Sequence, residues 1–595
     1  MRELTLVCAA ALLGICSGHA QVLFAGQEND SRGLVAYWKL QGDCKDHSGN
    51  GKHGVNRGVN LDTGEFNGKD AYIEVPNSDS LNLGTGDFSI SAWVYTEKDL
   101  DDVIGDVLSK YDPAKRKGFT FNIKASSGGY QSQGSDKHVY FGIDNGNVSD
   151  WEDCGRPNAT SNYVSNSLTV FRGKLYAATT DAKKQEDWCR VYCYEGGQKW
   201  TDCGRVGDRK TTGVMSLIVH DGKLYAATCT YDWTRVVKGD YDPGRVYCYE
   251  GGKQWKDCGQ PSDNRRLICM ASFKGKLYVG GGNETRGVFV YQGGKQWQAS
   301  KIFPAKGPGA AFPHSMGMHD GKLYVGFPAF VHSFDGKKWE YVGIPVEGCT
   351  QVHSLEPYQG RLYAGTWRKG EVGMYQDGEQ WKYCGRLGKD STEINALTVY
   401  NGKLYGGSIP RAEITRYEGG TQWTVMKTFL SPQGWEPVAV GAGGPDYRKG
   451  VNDWTRVTSL TVYNGRLFAS IGSCTSSILD APADVRGKVF SMEAGKCVSY
   501  DDDLGSGWKH IAAIREKGQL KLYVNGKLAA TSSPFNPEDY DISNNQPLTI
   551  GFGEMDYFSG KIKEVRLYNR GLNESEVKSL QQKHLMRPSR ASRGS

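Results

Sequence analysis

Five ionisable side chains in the 595-residue chain fall at matching places of an internal repeat. The segment Gly-Lys/Arg-Leu-Tyr/Phe begins at Gly173, Gly222, Gly275, Gly321, Gly360, Gly402 and Gly465. Seven residues before each glycine stand Asn166, Met215, Ile268, His314, His353, Asn395 and Thr458. Nine before stand Val164, Gly213, Arg266, Phe312, Gln351, Glu393 and Arg456. Five before, every copy has Leu or Met, which is a packing row. Positions two apart on a strand share a face, so one face turns from apolar to polar away from the glycine. Arg266 and Arg456 suit an acidic sugar or a sulfate, with Glu393 as their alternative internal partner. His314 and His353 occupy equivalent places in adjacent copies. They would bridge a metal or an acidic ligand, but a metal needs further ligands, and two hydrogen-bonded structural histidines are the more economical reading. Trp233 and Trp367, with Trp188 and Trp454, lie in the connections around these positions, where aromatic faces stack on sugars or pack the loops.

Two further groups carry possible chemistry. Asp43, Asp46, Ser48 and Asn50, followed by Gly51, have the spacing of oxygen ligands in a calcium loop, without the bidentate Glu that closes an EF-hand. The competing reading is a turn in which Asp and Asn bond the local backbone. Calcium is the only cofactor suggested. Cys193/Cys203 and Cys248/Cys258 each span ten residues across one hairpin, and the third, fourth and sixth copies lack both members. Cys154 and Cys384 are exceptions, with Ser491 and Met374 at the partner positions, but the joint pattern predicts two cross-strand disulfides, with independent buried thiols as the alternative. No C-x-x-C spacing points to zinc.

The elements that position these residues are strands. The chain has 78 Gly, 33 Tyr and 15 Trp, and short aromatic stretches are punctuated by glycine turns. After most repeat copies comes a unit such as Val191-Tyr-Cys-Tyr-Glu-Gly-Gly-Gln-Lys-Trp200, a hairpin whose Gly-Gly turn takes positive φ. Seven copies predict a seven-bladed β-propeller. The seventh lacks its own tryptophan strand, and Trp151 precedes the first copy, so the ring closes with an outer strand from the start of the repeat region. The repeat resembles kelch-like and sialidase-like propellers, without the Ser-x-Asp-x-Gly-x-Thr-Trp form of the sialidase Asp-box.

Both flanks of the repeat belong to a second domain. Leu34-Val-Ala-Tyr-Trp-Lys-Leu40, Tyr72-Ile-Glu-Val75 and Phe88-Ser-Ile-Ser-Ala-Trp-Val94 precede the repeat. Trp508-Lys-His-Ile-Ala-Ala513, Leu522-Tyr-Val-Asn-Gly-Lys-Leu528 and Phe558 to Arg570 follow it. Together they resemble the laminin-G-like, concanavalin A-like jelly roll, with Lys563 where that family usually has Asp. The fold class is therefore all-β: a jelly-roll sandwich split by an inserted propeller. The expected division is a signal peptide at 1–20, a linker at 21–33, the jelly roll at 34–146 and 504–585, the propeller at 147–503 and a basic tail at 586–595.

Arg2, the apolar run from Leu4 to Ile15 and Gly18-His19-Ala20 read as a secretory signal. Export fits a secreted or periplasmic protein that does not span a membrane. A net charge of +6 without a basic stripe argues against nucleic acid. No catalytic signature stands out, so the reading favours recognition of glycans or extracellular proteins. A glycosidase-like enzyme with a propeller catalytic domain and a structural or adhesive surface component are the alternatives.

Overall fold

The computed structural model describes residues 31–128, 132–182, 185–207, 210–230, 233–282, 284–303, 312–389, 391–429, 455–473, 485 and 487–585. The expected signal peptide, the basic tail and Trp454 lie outside these residues. No helix among the described residues is long and apolar enough to cross a membrane.

One part is a two-sheet antiparallel sandwich. Its first sheet runs Leu34–Trp38, Ser559–Tyr568, Phe88–Thr96, Gly507–Glu516, Gln519–Val524, Lys527–Thr531. Phe88–Thr96 thus lies between two strands from the far side of the repeat. Neither flank completes this sheet alone. The second sheet runs Val55–Arg57, Tyr72–Val75, Leu548–Ile550, Gly105–Asp112, Lys117–Gly128, Ser132–Val148, Ala494–Tyr500. Alternate residues of the facing strands, among them Phe88, Ile90, Val94, Phe119, Phe121 and Phe141, are fully buried between the sheets, as period-two packing requires. Lys563 stands over the Trp508 ring, its ammonium 3.6 Å from the centroid.

The sequence-based boundaries need correction here. Ala494–Tyr500 pairs with residues 139–148 of the sandwich, although it was expected to belong to the propeller. The chain passes from the last blade into this strand through Glu493 alone, with no turn signal to mark the change.

The inserted part contains seven four-stranded antiparallel units. Their first strands, the inner ones, are Ser161–Phe171, Gly213–His220, Arg266–Phe273, Ser315–His319, Gln351–Tyr358, Glu393–Tyr400 and Thr455–Tyr463, here blades 1 to 7. Each inner strand touches the next, and the first touches the last, so the ring is closed. Blade 7 takes its outer strand from Glu152–Asp153, which pairs with Val489–Met492. In blade 2, His220 pairs with Lys223, so the turn residues are Asp221 and Gly222. Their φ values of 45° and 67° are those of a tight hairpin turn.

The repeated tryptophan joins neighbouring blades. The indole N–H of Trp200 donates to the Cys154 carbonyl at 2.8 Å, Trp255 to Cys203 at 2.9 Å, Trp297 to Cys258 at 2.9 Å and Trp423 to Cys384 at 2.8 Å. An apolar ring with one donor at its edge suits this half-buried seam.

The sandwich enters the propeller channel. The hairpin formed by Lys117–Gly128 and Ser132–Val148 lies against the inner strands of blades 1, 2, 3, 4 and 7. Ser132 Oγ bonds Ser216 Oγ of blade 2 at 2.6 Å and accepts from Met270 N–H of blade 3 at 3.1 Å. Lys124 reaches the Glu356 carboxylate of blade 5 and Thr398 of blade 6. The hairpin therefore meets all seven blades and plugs the channel from the end that carries the glycine turns.

Candidate functional site: the open mouth of the propeller channel

At the opposite end of the channel, the inner strands begin with the residues found by counting back from the repeat glycine. They form a continuous line of contacts across adjacent blades. The Arg266 guanidinium of blade 3 lies 5.6 Å from the centre of the Phe312 ring. Phe312 packs on His314, with centroids 4.6 Å apart. His314 stacks on His353 of blade 5 at 4.8 Å and an interplanar angle of 19°. His353 Nδ1 lies 3.0 Å from Glu393 Oε1 of blade 6, and its Nε2 is bonded to Gln351 Oε1. Arg456 Nη1 of blade 7 is 3.6 Å from the same Glu393 oxygen. The Arg456 guanidinium lies 5.8 Å from the Tyr163 ring of blade 1. On the far side, Met215 of blade 2 and Ile268 pack with Phe312 in one apolar cluster.

These groups are largely removed from water: His314, His353, Glu393 and Arg456 are all buried, and Asn395 is fully so. Burial holds the His314 imidazole well below its usual pKa, and His353 and Arg266 add to the effect. His314 is therefore neutral at pH 7. For Glu393, burial alone raises the pKa, but His353 and Arg456 outweigh it and keep the carboxylate ionised. Three polar groups at this level have no hydrogen-bond partner among the described residues: His314 Nε2, both side-chain polar atoms of Asn395 and the Trp367 indole N–H. Trp367 ends the strand Arg361–Trp367 and stands opposite Gln351 and Glu393. Trp233 begins the short helix Trp233–Val237, and its side chain lies outside the described residues.

The structure thus joins Arg266, His314, His353, Glu393, Arg456 and Trp367 in one ring. Tyr163 is not among the aligned positions: in blade 1 these are Val164 and Asn166, so strand period does not single it out.

The other two candidate groups lie away from the channel mouth. Asp46 Oδ1 accepts from Tyr37 N–H at 2.9 Å and Ser48 N–H at 2.8 Å, and Oδ2 from Lys52 N–H at 2.9 Å. Asn50 Nδ2 donates to the Leu34 and Val35 carbonyls. Asp43 pairs with His47 at 2.9 Å, and Ser48 Oγ accepts from Asn50 N–H. This is a turn pinned by its own side chains. These bonds match the turn that was the alternative to a calcium loop.

The disulfide expectation is also corrected: Cys193, Cys203, Cys248 and Cys258 are free thiols. The register explains it. Cys193 faces Thr201 and Cys248 faces Lys256, so each expected partner is displaced by two residues along the opposite strand. Such diagonal neighbours stand about 7–8 Å apart, beyond the usual reach of a disulfide. Cys203 and Cys258 instead pack against Tyr249 and Tyr291 of the next blade.

With the geometry established, comparisons place the sandwich. Residues 451–578 match the family described as the concanavalin A-like lectin/glucanases superfamily. The sandwich has a concanavalin A-like fold. The matched span takes in blade 7 as well as the strands from Ala494 onward. No curated protein matches the chain. Among solved structures, virginiamycin B lyase from Staphylococcus aureus is similar at 10% identity, covering 58% of this chain and 99% of its own, with a TM-score of 0.41. The extracellular domain of the putative hybrid two component system BT4673 from B. thetaiotaomicron is similar at 12% identity, covering 64% of this chain and 46% of its own, with a TM-score of 0.40. The WD40 β-propeller domain of Doa1 shows 10% identity over 58% of this chain and 96% of its own, with a TM-score of 0.38.

Proposed function

We propose that this chain is an exported recognition protein that binds a polar extracellular ligand, a glycan in the first instance, at the open mouth of its propeller. One observation carries the reading: a ring of buried polar side chains in which His314 Nε2, the Asn395 amide and the Trp367 N–H lack partners. Buried polar groups are costly unless hydrogen-bonded. A sugar offers hydroxyl groups of both hydrogen-bonding senses, and Trp367 supplies an indole edge beside them. The hairpin plug gives the channel a floor, so a ligand enters and leaves by the same mouth. The lectin-related sandwich supports the same class of ligand. The secretory signal read from residues 1–20 supports an extracellular or periplasmic location.

Catalysis is the weaker reading. Glycoside hydrolysis ordinarily needs two carboxyl groups flanking the scissile bond. Among the described residues the ring holds one, Glu393, and it is engaged by His353 and Arg456. A glycan array with the full chain, followed by product analysis of each hit, separates the readings. Binding without turnover is the expected result. Turnover, or binding unchanged by Asn395→Leu, would overturn it.

A further inference from the structure

Outside the mouth, one cluster gathers metal-ligating side chains from both domains. Asp102 lies in the connection after the sandwich strand Phe88–Thr96, and Asp556 precedes the strand Ser559–Tyr568. His319 ends the inner strand of blade 4. Each offers one donor atom, and the three atoms lie within 4.8 Å of one another. All three residues are more than nine-tenths buried.

The hydrogen bonds leave part of this cluster open. Val103 N–H donates to Asp102 Oδ1 at 2.8 Å, and Tyr557 N–H to Asp556 Oδ1 at 2.8 Å. His319 Nδ1 lies 3.3 Å from Asp556 Oδ2. Among the described residues no hydrogen-bond donor reaches Asp102 Oδ2. That oxygen faces Gly68, where an added Cβ would stand 3.1 Å away. The neighbouring cations are already engaged: Lys69 with Asp320 at 3.0 Å and Lys274 with Asp101 at 3.9 Å. Two buried carboxylates therefore share one imidazole.

We propose that Asp102, His319 and Asp556 form a divalent-cation site that fastens blade 4 to the sandwich. One nitrogen and two carboxylate donors suit a borderline cation such as Zn²⁺ or Mn²⁺. Ca²⁺ takes six to eight oxygen ligands and is disfavoured. A cation drawing the three donors inward would compensate the carboxylates that the single imidazole leaves in excess. Because the ligands come from two domains, occupancy stabilises their docking and raises the stability of the whole chain.

The test uses the full chain stripped with a chelator. Equilibrium dialysis against MnCl₂ and ZnCl₂, with Mn²⁺ followed by electron paramagnetic resonance, gives the stoichiometry. Calorimetry gives Tm with each metal and with CaCl₂. One tightly held Mn²⁺ or Zn²⁺ per chain is expected, with a raised Tm and a much smaller response to Ca²⁺. Asp102→Asn keeps the side-chain shape and should abolish both effects, as should His319→Gln, whereas Asp46→Asn should keep them. No cation binding, or binding that survives Asp102→Asn, overturns the proposal. If His319→Gln does not fold, dialysis of Asp102→Asn still decides.

Discussion

At the sandwich end of the propeller channel, Lys124 meets Glu356, and Glu356 also accepts from Val399 N–H at 3.0 Å. At the open end, Arg456 and His353 share Glu393, while His314, Asn395 and Trp367 keep polar atoms without partners. Both ends bury an ionised pair in one ring of strands. At the first end the sandwich supplies the complement, and the polar groups stabilise the association of two domains. At the second no described residue completes the set. Under the proposed function, a single scaffold separates a structural pole from a recognition pole.

The largest expected effect comes from removing the plug. A propeller cut out at residues 147–503 keeps its blades but loses the hairpin strand Lys117–Gly128 and most of Ser132–Val148. Glu356 then loses Lys124, and we expect a loss on the order of 5 kcal/mol relative to the intact chain. Chemical denaturation of the excised propeller checks this. Stability equal to that of the whole protein would remove the structural role from the sandwich end.

Next comes Lys124→Met, which leaves a buried carboxylate without its cation and should cost about 3–5 kcal/mol. Adding Glu356→Gln should recover much of the loss. At the open end, Arg456→Met should cost less, about 1–2 kcal/mol, because His353 stays 3.0 Å from Glu393. It should also weaken binding of an array-identified ligand about tenfold or more. Equal stability losses at the two ends, with ligand binding unchanged, would erase the distinction between them.

A smaller, pH-dependent effect belongs to the open end. His314 has a folded pKa below its unfolded value, so the unfolded chain takes up more protons as pH falls through about 6.5. That contribution to stability is present above this range and is lost below it. Glu393, whose folded pKa is depressed, adds an acid loss beginning below the unfolded value near 4.5. Other buried groups titrate in the same window, among them His138, lowered to about 4, and the Asp106 and Glu554 carboxyls, raised to about 7 and about 8. The His314 part is therefore the difference between slopes: from pH 8 to pH 5 the wild type should lose more stability than His314→Asn. An unchanged slope in that variant would show that the histidine is not responsible.

The smallest effect concerns the cysteines. Because Cys193, Cys203, Cys248 and Cys258 are free thiols, a reducing agent should leave Tm unchanged and alkylation of the unfolded, unreduced chain should label all four. Recovery of peptides linking Cys193 to Cys203 would overturn the register argument.

Much of this was legible in the sequence because the blades repeat. Equivalent strands carry equivalent residues at one height in the channel, so counting back from Gly275, Gly321, Gly360, Gly402 and Gly465 picks out Arg266, His314, His353, Glu393 and Arg456 without any coordinates. The tryptophan hairpins and the missing outer strand of blade 7 are local signals of the same kind. The cysteine pattern was also visible, but its meaning depended on a two-residue difference in strand register, which spacing along the chain does not reveal.

By itself the sequence determined the all-β class, the seven repeats, the split sandwich and the alignment of the mouth, since each follows from short-range periodicity and turn chemistry. Only the tertiary structure decided that the 117–148 hairpin enters the channel, that Ala494–Tyr500 returns to the sandwich, and that Asp102, His319 and Asp556 converge. Those outcomes depend on how two domains dock. Docking is set by shape and by the pairing of buried charges between remote segments, and neither leaves a period in the chain.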